Sequence, residues 1–321
     1  MRSVATPSLL YATLCASGCL RVIDLDDDGN DVDAIVVSGD AATGDAVPFP
    51  DGAWDQDCSI PLPCPAPNAN RVAVCGWIHD AESDGVVAAA NPTRQSCTGL
   101  TDTGPCSLRV RYFDALDFAG NPSSAQPITP ESSMVDDCGR FRATNMPRPT
   151  FGFLGIAVDD TPGITPVTPH RPTVVNVPNS LATPGILRIY STRVSTDMMW
   201  STSAGLANQT FAQRGVLMKV FTVRGQPVAG VSVRRSGSLI PNDDYYFSDT
   251  TITRTTIDPQ RTSTGPSGAV LVINADTPIA HDGVGSEPAG CRWPSNLGAS
   301  TPGVVSIDIV EAEMPSGVIC P

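Results

Sequence analysis

The 321 residues carry 41% hydrophobic side chains, enough to build packed cores, but only 6% aromatics. Thirty prolines and 28 glycines, amid many Thr, Ser and Val, point to short strands and turns rather than long helices. The net charge is −13 and Lys219 is the only lysine, so the clustered cations that phosphate binding requires are missing and nucleic acid is excluded as a partner.

Residues 1–18 hold one basic residue, Arg2, and an apolar stretch around Leu9, Leu10, Tyr11 and Leu14. A bilayer span needs about 20 apolar residues, so this stretch fits a secretory leader instead. Its end, Ala16-Ser17-Gly18-Cys19, resembles the lipobox of bacterial lipoproteins, in which small residues precede a cysteine that is diacylated and becomes the new N-terminus. The resemblance implies removal of residues 1–18, a lipid on Cys19 and attachment to a membrane through it. Leu20, where an Asp would favour inner-membrane retention, implies the outer membrane of the bacterial envelope, facing the periplasm or the surface. The competing reading is a plain secretory leader with Cys19 an ordinary thiol.

Residues 19–57 read as an acidic flexible tether, because the run from Asp24 to Asp33 is too charged to fold unaided. Asp24, Asp26 and Asp28, followed by Gly29, match the first half of a calcium loop, but Ile35 stands where the bidentate carboxylate belongs. A solvated tether is the preferred reading, and calcium is the one cofactor the sequence raises.

From residue 58 to 160 the pattern predicts a first β-sandwich. Strands are expected at Arg71–Ile78, at Ser107–Phe113 with Leu, Val and Tyr alternating against Arg, in a third unit opening at Asp136 and running through Ala143, and at Phe151–Val158. Residues 161–214 read as a Pro-rich connector with a strand-like Gly185–Tyr190 and one short helix, Thr196–Gly205, capped by Asp197 and Gly205. Met198, Met199 and Trp200 in that helix read as a wedge against a domain face rather than a ligand-stacking patch. A second sandwich is expected over 215–321, with Val216–Val223 leading into Arg224–Val233, then Tyr245–Asp249, Thr264–Ile273 and Gly303–Val310.

The cysteines agree with export. Beyond Cys15 and Cys19, eight remain: Cys58, Cys64, Cys75, Cys97, Cys106, Cys138, Cys291 and Cys320. An even number in an exported chain reads as a disulfide framework. The first six leave their pairing open, Cys97–Cys106 being a plausible local loop, while Cys291 and Cys320 are left to each other in the second sandwich. Structural zinc is disfavoured, since no CxxC occurs and the three histidines lie far from any paired cysteines.

Gly225-Gln226-Pro227-Val228-Ala229-Gly230-Val231-Ser232-Val233 and Ser263-Thr264-Gly265-Pro266-Ser267-Gly268-Ala269-Val270 resemble two motifs of the carboxypeptidase regulatory-like domain, a prealbumin (transthyretin)-like β-sandwich. The first half resembles it less closely, through Val74–Glu82 and Asp136–Phe141. Aligning the halves pairs Gly139 with Gly268, and Gly155–Asp159 with Ser306–Val310, as an internal duplication. The resemblance implies an all-β fold of two tandem prealbumin-like or Ig-like sandwiches and a non-catalytic accessory role.

No Gly-x-Ser-x-Gly elbow, His-Glu-x-x-His or P-loop occurs. His79-Asp80 and His281-Asp282 read as surface pairs in turns, and Tyr245, Tyr246 and Phe247 as strand-core aromatics rather than a stacking edge. The expectation is a non-enzymatic envelope lipoprotein, a binding, scaffold or adhesion module with a protein or glycan partner. The alternatives are a secreted hydrolase, which requires His, Asp and Ser to converge in one pocket, and a calcium-dependent adhesin.

Overall fold

The computed structural model describes residues 58–64, 71–89, 104–122, 124–128, 135–148, 153–163, 165–178, 187–206, 209–235, 238–239, 243–273, 279–285 and 291–313. The leader, Cys19, the tether with Asp24, Asp26 and Asp28, Cys97 and Cys320 lie outside them.

In chain order the first half supplies β1 (Arg71–Asp80), β2 (Leu108–Asp114), α1 (Ala115–Gly120), β3 (Arg140–Pro147) and β4 (Phe153–Asp160). Next come β5 (His170–Arg171), β6 (Thr173–Pro178), β7 (Leu187–Arg193), α2 (Val194–Ser203) and α3 (Phe211–Arg214). The second half supplies β8 (Val216–Val223), β9 (Gln226–Pro227), β10 (Val231–Arg235), β11 (Ser238–Leu239) and β12 (Asp244–Phe247). It ends with β13 (Ile257–Asp258), β14 (Ala269–Ile273), β15 (Ile279–Gly285), β16 (Arg292–Gly298) and β17 (Val305–Glu311). The fold is all-β, as its composition and period-2 patterning imply.

Six strands of each half obey one pairing plan. β1 pairs antiparallel with β3 and parallel with β7, while β2, β4 and β6 form an antiparallel run. β8 likewise pairs antiparallel with β14 and parallel with β17, while β10, β15 and β16 form the matching run. Gly139 and Gly268 fall at the same place in this plan, just before β3 and β14, with φ of 72° and 63°. Each glycine N–H closes a turn onto a carbonyl three residues back, and each glycine's own carbonyl accepts an N–H from the first strand of its unit, Ile78 for Gly139 and Phe221 for Gly268. The plan corrects the other half of the sequence alignment. The counterpart of β17 is β7, and β4 corresponds to β15. Similar apolar runs in β4 and β17 misled that match, whereas β15 carries His281, Asp282 and two glycines and looks unlike a core strand.

The segment 161–214 is more than a link, because β5, β6 and β7 are strands of the first unit. β6 also pairs in parallel with β17, Thr173 opposite Val305. One sheet therefore runs across both units in the order β13-β12-β14-β8-β17-β6-β4-β2. On one face it meets the sheet β3-β1-β7-β5 at the first-unit end and Trp200 and Phe211 of the two helices at the other, in a single core. The opposite face is covered at the second-unit end by β11-β10-β15-β16, burying Val231, Val233 and Trp293 against Leu217, Phe221 and Val310. Both faces of β8 are thus covered, which is why it reads as an unbroken apolar run and is buried at every residue.

Two disulfides lie within the first unit: Cys58–Cys138, with Cα atoms 5.3 Å apart, and Cys64–Cys75, at 5.8 Å. Cys106 and Cys291 are also disulfide-bonded. Arg140, fully buried, pairs with Asp136 and donates to the Ile60 carbonyl, so the stretch that follows the tether is fixed to β3.

Candidate functional site

The turn after β1 brings the two units together. Asp84, at φ 62°, accepts from Arg188 Nη1 (2.9 Å), Tyr190 Oη (2.9 Å) and Arg254 Nη2 (3.1 Å). Arg254 comes from the loop before β13, is fully buried, and donates also to the Ala81 carbonyl at 3.0 Å. Its own carbonyl accepts the Trp200 indole N–H. Burial raises the Tyr190 phenol above its ordinary value, so the hydroxyl stays a donor. This cluster is a clamp whose polar groups are turned on one another.

A polar cavity of about 240 Å³ opens beside it, lined by Asp80, Ser83, Ser107, Thr168, His170 and Arg193 among others. It is where the hydrolase alternative meets the geometry. His170 Nδ1 lies 3.0 Å from Asp160 Oδ1, whose second oxygen accepts the His170 backbone N–H at 2.9 Å. Burial lowers the His170 pKa against the opposing pull of Asp160. A nucleophile must give its proton to the base, but both serines donate elsewhere. Ser107 Oγ donates to the Gly104 carbonyl at 2.9 Å, and Ser83 Oγ to Asp80 Oδ1 at 3.0 Å. Asp80 Oδ2 is taken by Arg193 at 3.0 Å. The cavity thus collects His, Asp and Ser without assembling a triad.

The residues singled out in sequence fall elsewhere. His79 is half-buried on β1, its Nδ1 2.8 Å from the Asp84 carbonyl oxygen, and burial lowers its pKa. His281, expected in a surface turn, is buried on β15. Asp197, expected as a helix cap, is buried inside the first turn of α2, where its carboxylate accepts the Ala212 N–H and the Arg171 Nε. Trp200 is wholly buried, edge-on to Phe247, while Met198 is exposed. Tyr246 and Phe247 are buried in the core. Among the described residues no group of three or more His, Cys, Asp or Glu is placed to hold a metal ion, and no helix is long and apolar enough to cross a membrane.

The second cavity, about 200 Å³, is an apolar groove on the outer face of the long sheet, at the seam between α1 and the end of β16. Leu116 and Phe118 of α1 wall one side, Leu297 and Ala299 the other, with Val174 in the floor. Leu116 and Leu297 are 42% and 48% exposed. Sequence reasoning missed this site, since α1 is only six residues long and its walls lie far apart in the chain.

No family model matches the chain, and no curated protein does. Among solved structures it is similar to shaft pilin SpaA from Lactobacillus rhamnosus GG, at 12% identity, covering 78% of this chain and 99% of that one with a TM-score of 0.21. A streptococcal ancillary pilin aligns at 10% identity over 64% of this chain and 61% of its own, with a TM-score of 0.19. The family CBM26 module of Eubacterium rectale Amy13K, in complex with maltoheptaose, aligns at 7% identity over 68% and 95%, with a TM-score of 0.20. Likenesses this distant carry no functional argument.

Proposed function

We propose that the chain is a non-enzymatic lipoprotein of the bacterial envelope, held through Cys19, whose fused sandwiches act as a rigid binding and scaffold module. The apolar groove at the seam is the observation that carries this reading. It is concave, it presents two half-exposed leucines, and its walls come from both units, so it depends on their fixed arrangement. Its lining suits an apolar side chain of a protein partner better than a glycan. The calcium-dependent adhesin remains a proposal resting on Asp24, Asp26 and Asp28, and a chelator-sensitive melting temperature is its test.

A photo-crosslinker placed at Leu297 in living cells tests the binding reading, with one at exposed Val167 as control. A discrete envelope adduct from 297 that is lost on Leu116→Asp supports it. Equal labelling from 297 and 167, or none from 297, overturns it.

A further inference from the structure

We propose that Lys219 and Asp308 are joined by an intramolecular amide bond, a covalent cross-link between β8 and β17. Lys219 is the only lysine of the chain. It stands in the middle of β8, in register with Asp308 on the parallel neighbour β17. Its Nζ is 3.1 Å from Asp308 Oδ2, and the two side chains are 0% and 2% exposed. Asn176 on β6 completes the row from the other flank, its Nδ2 donating to Asp308 Oδ1 at 3.0 Å. The backbone of β16 closes over the pair: a Cβ at Gly298 would lie 2.6 Å from Asp308 Oδ2. The same face of β8 carries Leu217 and Phe221, so the surroundings are apolar on both sides.

The choice of lysine is the telling feature. The salt bridges of Asp80, Asp84, Asp136, Asp159 and Asp197 are all made with arginine. Arginine keeps its charge and pairs better as a buried cation, whereas an amine can lose its proton and attack. A plain ion pair here would also keep two charges out of water at considerable cost.

The reaction balances within the pair. A proton passes from Nζ to Oδ2, leaving a neutral amine against a carboxylic acid. The Nζ lone pair attacks Cγ, and the N–H of Asn176 stabilises the charge that develops on Oδ1. The new Cγ–N bond forms as the Cγ–Oδ2 bond breaks, and Oδ2 leaves as one water carrying the transferred proton and a second from Nζ. No oxidant, metal or other reactant is needed. The product removes both charges and ties the first strand of the second unit to its last.

The lone lysine makes the test simple. The native chain is purified, reduced, denatured and digested with a lysine-specific protease. A cross-linked chain has no free lysine and stays whole, and trypsin then releases 215–224 joined to 293–321, one water lighter than the two together. Two lysine-specific fragments at the mass of the sequence overturn the proposal. A branch joining Lys219 to the peptide of Asn176, one ammonia lighter, overturns the assignment of Asp308. Lys219→Arg, which keeps the charge, is expected to lose the branched peptide and to melt earlier.

Discussion

Arg254 of the second unit lies 3.1 Å from Asp84 of the first, with side chains 0% and 6% exposed. Without Arg254, Asp84 keeps its bonds to Arg188 and Tyr190, but the buried Ala81 carbonyl loses a donor, a loss of about 1–3 kcal/mol. Arg254→Ala is therefore expected to lower the unfolding free energy by that order, read as a lower urea midpoint. Because the cation also holds the Ala81 carbonyl across the seam, unfolding should split into two transitions. Fluorescence of Trp200, next to the Arg254 carbonyl, reports the first of them.

Gly139 and Gly268 answer to the same demand. A Cβ at Gly139 would meet the Val87 carbonyl oxygen at 2.0 Å, and one at Gly268 the Phe221 carbonyl oxygen at 2.5 Å, both at positive φ. Gly139→Ala and Gly268→Ala should each destabilise by about 2 kcal/mol or more, strain and clash adding. Matching losses in chemical denaturation are the signature of a repeated unit.

The two described disulfides close very different loops, 80 and 11 residues apart. On chain entropy the longer loop contributes about 4.5 kcal/mol and the shorter about 3. Cys58→Ala with Cys138→Ala should thus cost more than Cys64→Ala with Cys75→Ala, as read from melting of the two paired variants.

His79 and His170 both bind a proton less readily in the folded chain than at the ordinary value of 6.5, chiefly through burial. The unfolded chain then takes up more protons as the pH falls through that value. Their contribution to stability is complete above 6.5, is lost as the pH drops below it, and levels off beneath the folded values. The melting temperature should fall on acidification from neutrality, and less steeply in His79→Gln with His170→Gln.

Strands that are apolar or alternate were readable from the sequence. β1, β2, β4, β7, β8, β14 and β17 fall where Arg71–Ile78, Ser107–Phe113, Phe151–Val158, Gly185–Tyr190 and the later runs place them. β6 was hidden among prolines, and β15 and β16 by His281, Asp282, Asn296 and their glycines, since neighbouring strands rather than patterning define them. The seam was illegible for a related reason. Arg254 sits in a Thr-rich loop with no periodicity, and only the tertiary fold sets it against a turn 170 residues away. The groove is built from a six-residue helix and a strand end, neither of which carries a local signal.

A peptide mass map of the membrane-extracted, unreduced protein bears on the whole picture at once. An acylated N-terminal peptide starting at Cys19, together with linked peptides for Cys58–Cys138 and Cys64–Cys75, is the expected result. An intact residue 1–18 segment with free thiols at those four cysteines would contradict an exported, oxidised, lipid-held module.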